Sequence, residues 1–354
     1  MRKAFLVVSL AFATTAAMMS HVYPAAEDLF DAVRAGDLSA VCRLLEGGAH
    51  VDARDENLET PLHWAAYRGK LDVAALLIDK GAKVDARDYY KKTPLHDAAF
   101  AGKTDVAGLL IRRGAKVNAR DYYQETPLHH AAYWNRADVA ALLIDKGAKV
   151  NAPDENEQTA LHWAAEDQID VAALLIDRGA DVNARDNYRE TPLHHAASRG
   201  RTDVAALLID KGAKVNAGNE DKWTPLHNSA FAGNTEVAAL LIDKGADVNA
   251  RGVNQKTPLH WAAFAGNTEV AALLIDKGAD VNAGDVNRKT PLHWAASQGN
   301  TETAALLIDK GADVNARDVD QKTPLYGAAS QDNTGTAALL IQRGADVNAS
   351  NGKH

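Results

Sequence analysis

The stretch TPLHWAA, from Thr60 to Ala66, decides the fold because near copies of it return along the chain. The copies begin at Thr93, Thr126, Thr159, Thr191, Thr224, Thr257, Thr290 and Thr323. The interval is 33 residues at every step except one, where it is 32. A fixed period in this range is typical of proteins built from stacked repeats. The sequence therefore predicts an array of small units rather than one large core.

One unit, residues 55–87, has the features of two short helices followed by an extended loop or hairpin. Thr60 is a suitable N-cap because its hydroxyl can accept an orphan backbone N–H, and Pro61 suits the first helical position. Gly69 and Gly81 are placed to end the two helices, since glycine readily adopts the left-handed conformation. Such a unit cannot cover its own apolar face, so we expect neighbouring units to stack and share one core.

These motifs, T-P-L-H at the helix start and GADVNA at Gly245–Ala250 and Gly278–Ala283, closely resemble the ankyrin-repeat family over roughly residues 25–348. The resemblance implies an all-α repeat solenoid of about ten stacked units, each a helix-turn-helix with a hairpin loop. It also implies a protein-binding role. The predicted domains are a signal peptide at 1–20, an N-terminal capping repeat at 25–54, eight internal repeats at 55–319, and a C-terminal capping repeat with its tail at 320–354.

The chain departs from the family pattern in two places. Glycine usually occupies the hairpin tip two residues before the TPLH threonine, and here those positions hold other residues: Leu58, Lys91, Gln124, Glu157, Arg189, Lys222, Gln255, Arg288 and Gln321. The preceding residue is Asn, Asp or Tyr, so we expect the turn to shift rather than disappear. The second departure is the unit starting at Asp154, which has Ala160 for proline and is one residue short. We expect a local irregularity there.

The N-terminal segment differs in kind from the repeats. Arg2 and Lys3 precede an uncharged stretch from Ala4 to Met19. A short positive head followed by an apolar stretch is typical of a secretory signal peptide, and cleavage would place the mature protein in a periplasm or outside the cell. An uncleaved membrane anchor is the alternative, although the apolar stretch is short for a full span. No later segment is expected to cross a membrane.

The histidines of the TPLH motifs form a ladder with one member in each unit: His63, His96, His129, His162, His194, His227, His260 and His293. This spacing does not match the short spacings of metal ligands, so no metal site is predicted. The resemblance implies that these histidines bond nearby backbone and threonine groups. His130 and His195, which follow ladder histidines, are expected on the surface. The asparagines of the VNA loops, such as Asn118, Asn249 and Asn282, are expected to bond local backbone.

Catalysis and nucleic-acid binding are both disfavoured. The sequence contains no nucleophile signature and no phosphate-binding loop. The formal net charge of −8 is spread evenly and leaves no basic stripe for a nucleic acid. We therefore expect no cofactor, no enzymatic activity and a monomeric chain.

Aromatic residues that vary between units mark the candidate binding surface. On the family's geometry, the hairpin tips and the exposed sides of the first helices line the concave face. The candidate residues are Tyr67, Tyr89, Tyr90, Phe100, Tyr122, Tyr123, Tyr133, Trp134, Tyr188 and Trp223. Tyrosine and tryptophan are enriched in contact surfaces because they bury a large area at a low entropy cost. The alternative is that the tyrosines pack on one another and only stabilise the hairpins. Trp64, Trp163, Trp261 and Trp294 are instead expected to pack between repeats.

The predicted function is therefore a non-catalytic scaffold, exported from the cytoplasm, that binds another protein. It could support a resident periplasmic protein or act on a host. The alternatives are an enzyme or metal-dependent protein built on the same scaffold, and a membrane-tethered scaffold.

Overall fold

The structure, a computed structural model, describes residues 24–349, and from residue 28 onward it also describes the side chains. The predicted signal peptide at 1–20 and the end of the predicted tail lie outside the described residues. The described part of the chain contains twenty α-helices in ten consecutive pairs and no β-strand, which confirms the predicted all-α repeat fold. We number the pairs as repeats 1 to 10.

The described residues divide into two compact units, the first ending at residue 149 and the second beginning at residue 150. The first unit holds α1 (Pro24–Ala35), α2 (Leu38–Glu46), α3 (Pro61–Arg68), α4 (Leu71–Asp79), α5 (Pro94–Ala101), α6 (Thr104–Arg112), α7 (Pro127–Tyr133) and α8 (Ala137–Asp145). Within it the first helices of adjacent repeats pack side by side, as do the second helices.

The second unit contains six helix pairs of the same kind. They are α9 (Ala160–Ala164), α10 (Ile169–Asp177), α11 (Pro192–Arg199), α12 (Thr202–Asp210), α13 (Pro225–Ala232), α14 (Thr235–Asp243), α15 (Pro258–Ala265), α16 (Thr268–Asp276), α17 (Pro291–Gln298), α18 (Thr301–Asp309), α19 (Pro324–Ser330) and α20 (Thr334–Gln342). A short 3-10 turn, Val253–Gln255, precedes α15.

The core of each repeat consists of small and branched apolar side chains. In repeat 2, Leu62, Ala65 and Ala66 of α3 are fully buried, and so are Ala74 and Leu77 of α4. The alanines let neighbouring helices approach closely, and each buried leucine contributes roughly 1.5–3 kcal/mol of transfer free energy. Because the first helices of adjacent repeats pack on one another within each unit, stacking buries what one pair alone would expose.

The hairpin tips do not shift, so that expectation was wrong. All nine non-glycine residues at the predicted tip positions take the left-handed conformation, with φ between 58° and 62°. In repeat 3 the Asp88 carboxylate accepts the Lys92 backbone N–H at 2.7 Å, and the Tyr89 N–H donates to the Asn57 carbonyl at 2.9 Å. Left-handed backbone costs about 1–2 kcal/mol per residue, and hydrogen bonds of about 1 kcal/mol each offset that cost.

The VNA asparagines bond across repeats rather than locally, so that expectation was also wrong. The Asn118 side chain donates to the Gly147 carbonyl at 3.0 Å and accepts the Lys149 N–H at 2.8 Å. Asn249 and Asn282 bond their own following repeats in the same way. The loop is short and tightly turned, so the backbone groups that the asparagine side chain reaches belong to the next repeat.

The expected irregularity at repeat 5 is present. Helix α9 spans five residues, whereas α3 spans eight, and its chain continues into turns before α10 begins. Asp332 and Asn135 show what happens where the helix-ending glycine is replaced in other repeats. Both adopt positive φ, at 56° and 53°.

Candidate functional site

Two neighbouring hairpins of the first unit each present a pair of tyrosines. The Tyr89 and Tyr90 rings meet edge to face with centroids 5.2 Å apart, and Tyr122 and Tyr123 repeat this geometry at 5.2 Å. The two hairpins are joined by a bond from the Tyr122 N–H to the Tyr90 carbonyl at 2.7 Å. Packing does not bury the rings, because Tyr89 is 68% exposed and Tyr122 is 56% exposed. The tyrosines therefore stabilise their hairpins and also remain open to a partner.

Lysines lie beside these rings. The Lys91 ammonium lies 5.5 Å from the Tyr122 centroid, and the Lys92 ammonium lies 5.8 Å from the Tyr90 centroid. Such cation–π contacts contribute about 0.5–1 kcal/mol each at exposed sites. They help to hold the tyrosines in place and add positive charge at the edge of the aromatic surface.

A second row of rings lies near the ends of the first helices. Tyr67 of α3 and Phe100 of α5 have centroids 6.0 Å apart, and Phe100 lies 4.8 Å from Trp134, which follows α7. The Tyr133 ring lies 5.2 Å from that of Trp134. Tyr67, Tyr133 and Trp134 are each at least 40% exposed. We call Tyr67, Phe100, Tyr133 and Trp134 the helix row. We call Tyr89, Tyr90, Tyr122 and Tyr123 the hairpin row.

The two remaining candidates lie in the second unit and differ from each other. Tyr188 is 65% exposed on its hairpin. Trp223 is half-buried, and its ring packs on Trp261 at 4.4 Å and on His227 at 6.1 Å. Gly252 makes room for that ring, because a Cβ there would lie 3.1 Å from Trp223 Cδ1. Trp223 is therefore a packing residue first.

Within each unit, ladder histidines link one repeat to the next. In repeat 2, His63 Nδ1 accepts the Thr60 backbone N–H at 3.0 Å, and Nε2 lies 3.2 Å from the Lys92 carbonyl of repeat 3. Because Nδ1 accepts, the proton of the neutral ring is on Nε2, which donates to the carbonyl. Burial lowers the pKa of His63 to about 4, and the same cause lowers the pKa of His162, His227 and His260 to about 4.

His130 and His195 are not surface residues, contrary to expectation. The His130 side chain is buried, and its Nε2 lies 3.2 Å from Asp121 Oδ2. His195 Nε2 lies 3.4 Å from Asp186 Oδ2, and Nδ1 lies 3.6 Å from Glu166 Oε1. Burial acts to lower the pKa of His195, but its bonds to Asp186 and Glu166 raise it to about 9. These histidines are donors to the hairpin aspartate nine residues earlier.

Two clusters of the described residues have the spacing of metal ligands: His96 with Asp121 and His130, and Asp186 with Glu190 and His195. Proton placement argues against both. His96 Nδ1 accepts the Thr93 N–H at 3.0 Å, so Nε2 carries the ring proton and has no free lone pair. The bonds to Asp186 and Glu166 raise the pKa of His195 to about 9, so at neutral pH both ring nitrogens carry protons that a metal ion would have to displace. Both clusters have the geometry of buried acid–histidine pairs.

The sequence interpretation missed one buried group. Asp97 Oδ2 is shielded from solvent and has no hydrogen-bond partner. Burial raises the pKa of Asp97 well above its usual range, and the charge of Glu59 adds to this effect. Aligning the repeats on their TPLH motifs would have indicated it, because Asp97 occupies the position that holds Trp64 in one neighbouring repeat and His130 in the other.

Comparisons with known proteins agree with the repeat pattern. The family model described as ankyrin repeats (3 copies) matches residues 29–121, 121–186, 152–219, 185–252, 214–285, 249–318 and 283–351. A search of curated proteins finds none that matches this chain. None of the helices in residues 24–349 is both long enough and apolar enough to span a bilayer.

Proposed function

Since this chain belongs to the ankyrin-repeat family, we propose that it is a non-catalytic scaffold that binds another protein through the hairpin row and the helix row of its first unit. Ankyrin repeats are protein-interaction modules, which supports the general role. The observation that carries the location is the exposure of these rings, since Tyr89, Tyr122 and Trp134 are 68%, 56% and 43% exposed. Exposed aromatic clusters of this kind mark contact surfaces.

The arrangement of these aromatic rings suits protein binding rather than catalysis. Pairwise ring contacts at 4.8–6.0 Å fix the side chains before a partner arrives, so little conformational entropy is lost on association. The neighbouring lysines supply charge for orientation. The ladder histidines and the hairpin aspartates are hydrogen-bonded within the stack, and we assign them no catalytic role.

A matched pair of variants tests the location. The first replaces Tyr90, Tyr123 and Trp134 with alanine. The control replaces Val253, Val286 and Val319, which are exposed hairpin residues of the second unit. Crosslinking pull-downs should lose the partner with the first variant and keep it with the control, while circular dichroism shows equal helix content. Capture that survives the first variant would place the site elsewhere.

We also propose that the protein is exported, with residues 1–20 removed as a signal peptide. The support is the sequence pattern of Arg2, Lys3 and the uncharged stretch that follows. N-terminal sequencing of the protein from each cell fraction tests this, and an intact Met1 in a membrane fraction would favour a tether instead.

A further inference from the structure

One position follows a shared rule in five of the described repeats. The residue after the ladder histidine donates to the hairpin aspartate nine positions earlier. Trp64 Nε1 donates to Asp55 at 2.9 Å, and His130 Nε2 lies 3.2 Å from Asp121. The same pairing occurs in repeats 5, 6 and 9 of the second unit. The hairpin carboxylate is thus matched with a donor in five repeats.

Repeat 3 departs from this rule in its own way. Repeats 7 and 8 have Asn219 and Gly252 in place of the hairpin aspartate, and repeat 10 has Gly327 in place of the donor. Asp97 stands where a tryptophan or histidine is needed, and it faces Asp88, so an acid opposes an acid. Although part of Asp97 is exposed, its Oδ2 atom is shielded and has no partner. Glu59, on the hairpin before α3, adds a third carboxyl, and burial followed by the charge of Asp55 raises its pKa to about 7. Buried acids of this kind are stabilised when a cation joins them.

A cavity of about 370 Å³ gives access to these acids. Its lining includes Glu59 and Asp97 together with the rings of Trp64, Tyr67 and Phe100. Lys92 and Arg68 are also at its wall, but the Lys92 ammonium lies over Tyr90, and the Arg68 guanidinium lies 5.7 Å from the Tyr67 centroid. Neither donates to Asp97 Oδ2.

The second unit shows what the equivalent position accepts. Lys256 occupies the place in repeat 8 that Glu59 occupies in repeat 2. Its ammonium lies 4.4 Å from the Trp261 centroid and 3.8 Å from that of Trp294, so it is sandwiched between the rings of adjacent repeats. The positions of Trp261 and Trp294 correspond to Trp64 of repeat 2 and Asp97 of repeat 3. Because Glu59 stands where repeat 8 has Lys256, no lysine from that position fills the space between Trp64 and Asp97.

We propose that the cavity between Trp64 and Asp97 receives a lysine or arginine side chain of the partner protein. This inference rests on the proposed function. The aromatic walls favour an alkylated cation, whose stem packs on the rings while its head reaches Asp97. They do not favour a hydrated metal ion, and among the described residues the clusters with metal-ligand spacing lie elsewhere.

The test uses the purified full chain and small probes. With aspartate carboxyl carbons labelled with ¹³C, n-butylammonium and n-propylguanidinium are titrated against the Asp97 resonance at constant ionic strength. We expect a saturable shift in the wild type. Trp64 indole N–H shifts, which remain visible in every variant, should show at least about tenfold weaker binding in Asp97→Asn, as expected for losing a hydrogen bond to a charged group. Asp72→Asn, which removes an exposed carboxyl of α4, should bind like the wild type.

Asp97→His serves as the control for folding. It installs the donor found in repeat 4, so this variant should fold but should no longer bind the probe. An absent or non-saturable response in the wild type would overturn the proposal, and so would an equal response in Asp97→Asn. Equal binding of n-butanol would leave only an apolar pocket, and a preference for magnesium chloride would make this a metal site. Either result overturns the proposal.

The two proposals fail separately, because probe binding needs no partner. If the partner is captured equally by wild type and by Asp97→Asn, the basic side chain is refuted while the aromatic surface stands. If the Tyr90, Tyr123 and Trp134 variant still captures it, the proposed binding location fails whatever the probes show.

Discussion

His260→Gln tests the role assigned to the histidine ladder. In the wild type His260 Nδ1 accepts the Thr257 N–H at 3.1 Å, and Nε2 lies 3.0 Å from the Lys289 carbonyl of the next repeat. Glutamine at this helix position can still accept the Thr257 N–H as a capping box does. The bond to Lys289 is the interaction at risk. We expect the variant to be less stable at pH 7 by about 1 kcal/mol, the net contribution of one such bond.

Lowering the pH should reverse that order. Burial lowers the pKa of His260 to about 4 in the folded state, against 6.5 when unfolded, so the unfolded state binds the proton first. The stability contributed by the neutral ring is therefore present above pH 6.5 and is lost as the pH falls from 6.5 towards 4. Between pH 7 and pH 5 the loss is about 2 kcal/mol, which glutamine does not suffer. At pH 5 the variant should be the more stable protein by about 1 kcal/mol.

The assay is urea unfolding of wild type and His260→Gln at both pH values, followed by circular dichroism. The stability difference between the two proteins is the quantity to compare, because the pH dependence of either protein alone combines groups that act in opposite directions. Glu59 and Asp97 have raised pKa values, so they favour the folded state as the pH falls. A stability difference that is the same at pH 7 and pH 5 would refute the buried neutral histidine.

Three further predictions concern the loops and the helix ends. Asn249→Ala removes bonds to the Gly278 carbonyl and the Asp280 N–H, so urea unfolding should show that the free energy of unfolding falls by about 1–2 kcal/mol. As a control, Asn348→Ala, which lies after the last helix pair of the described residues, should change that free energy little. Arg288→Gly relieves a left-handed residue with φ of 60° and should raise the melting temperature slightly, whereas Lys214→Gly, at a loop position without positive φ, should lower it. Lys277→Ala breaks an exposed ion pair with Asp243, and we expect a stability loss below about 1 kcal/mol by the same unfolding assay.

The fold could be predicted from the sequence because its signals are local and repeated. The threonine of each unit, with the proline and glycine of most units, marks helix boundaries within a few residues, and nine registered copies fix the period. The left-handed tips could not be predicted in this way. Residues such as Lys91 and Arg288 have no preference for positive φ, and the bonds that impose it come from the hairpin aspartate and the neighbouring repeat.

The candidate surface was predicted in part. Variation between units located the tyrosines of the hairpin row, and their exposure agrees with that placement. Reading each residue alone misplaced His130 and did not show how far Trp223 is packed, since burial there depends on a partner nine residues earlier or in the next repeat. Asp97 was missed for the same reason, because its unusual character is visible only when it is compared with the equivalent positions of other repeats.

The most direct measurement of the central claim is site-specific photocrosslinking. A photoreactive phenylalanine replaces Tyr122 in one protein and Val286 in another, where the two side chains are 56% and 57% exposed on hairpins of the first and second unit. We predict that the Tyr122 position crosslinks to one protein in its native compartment and that the Val286 position does not. Crosslinking of that protein at Val286, with none at Tyr122, would contradict the binding surface proposed for the first unit.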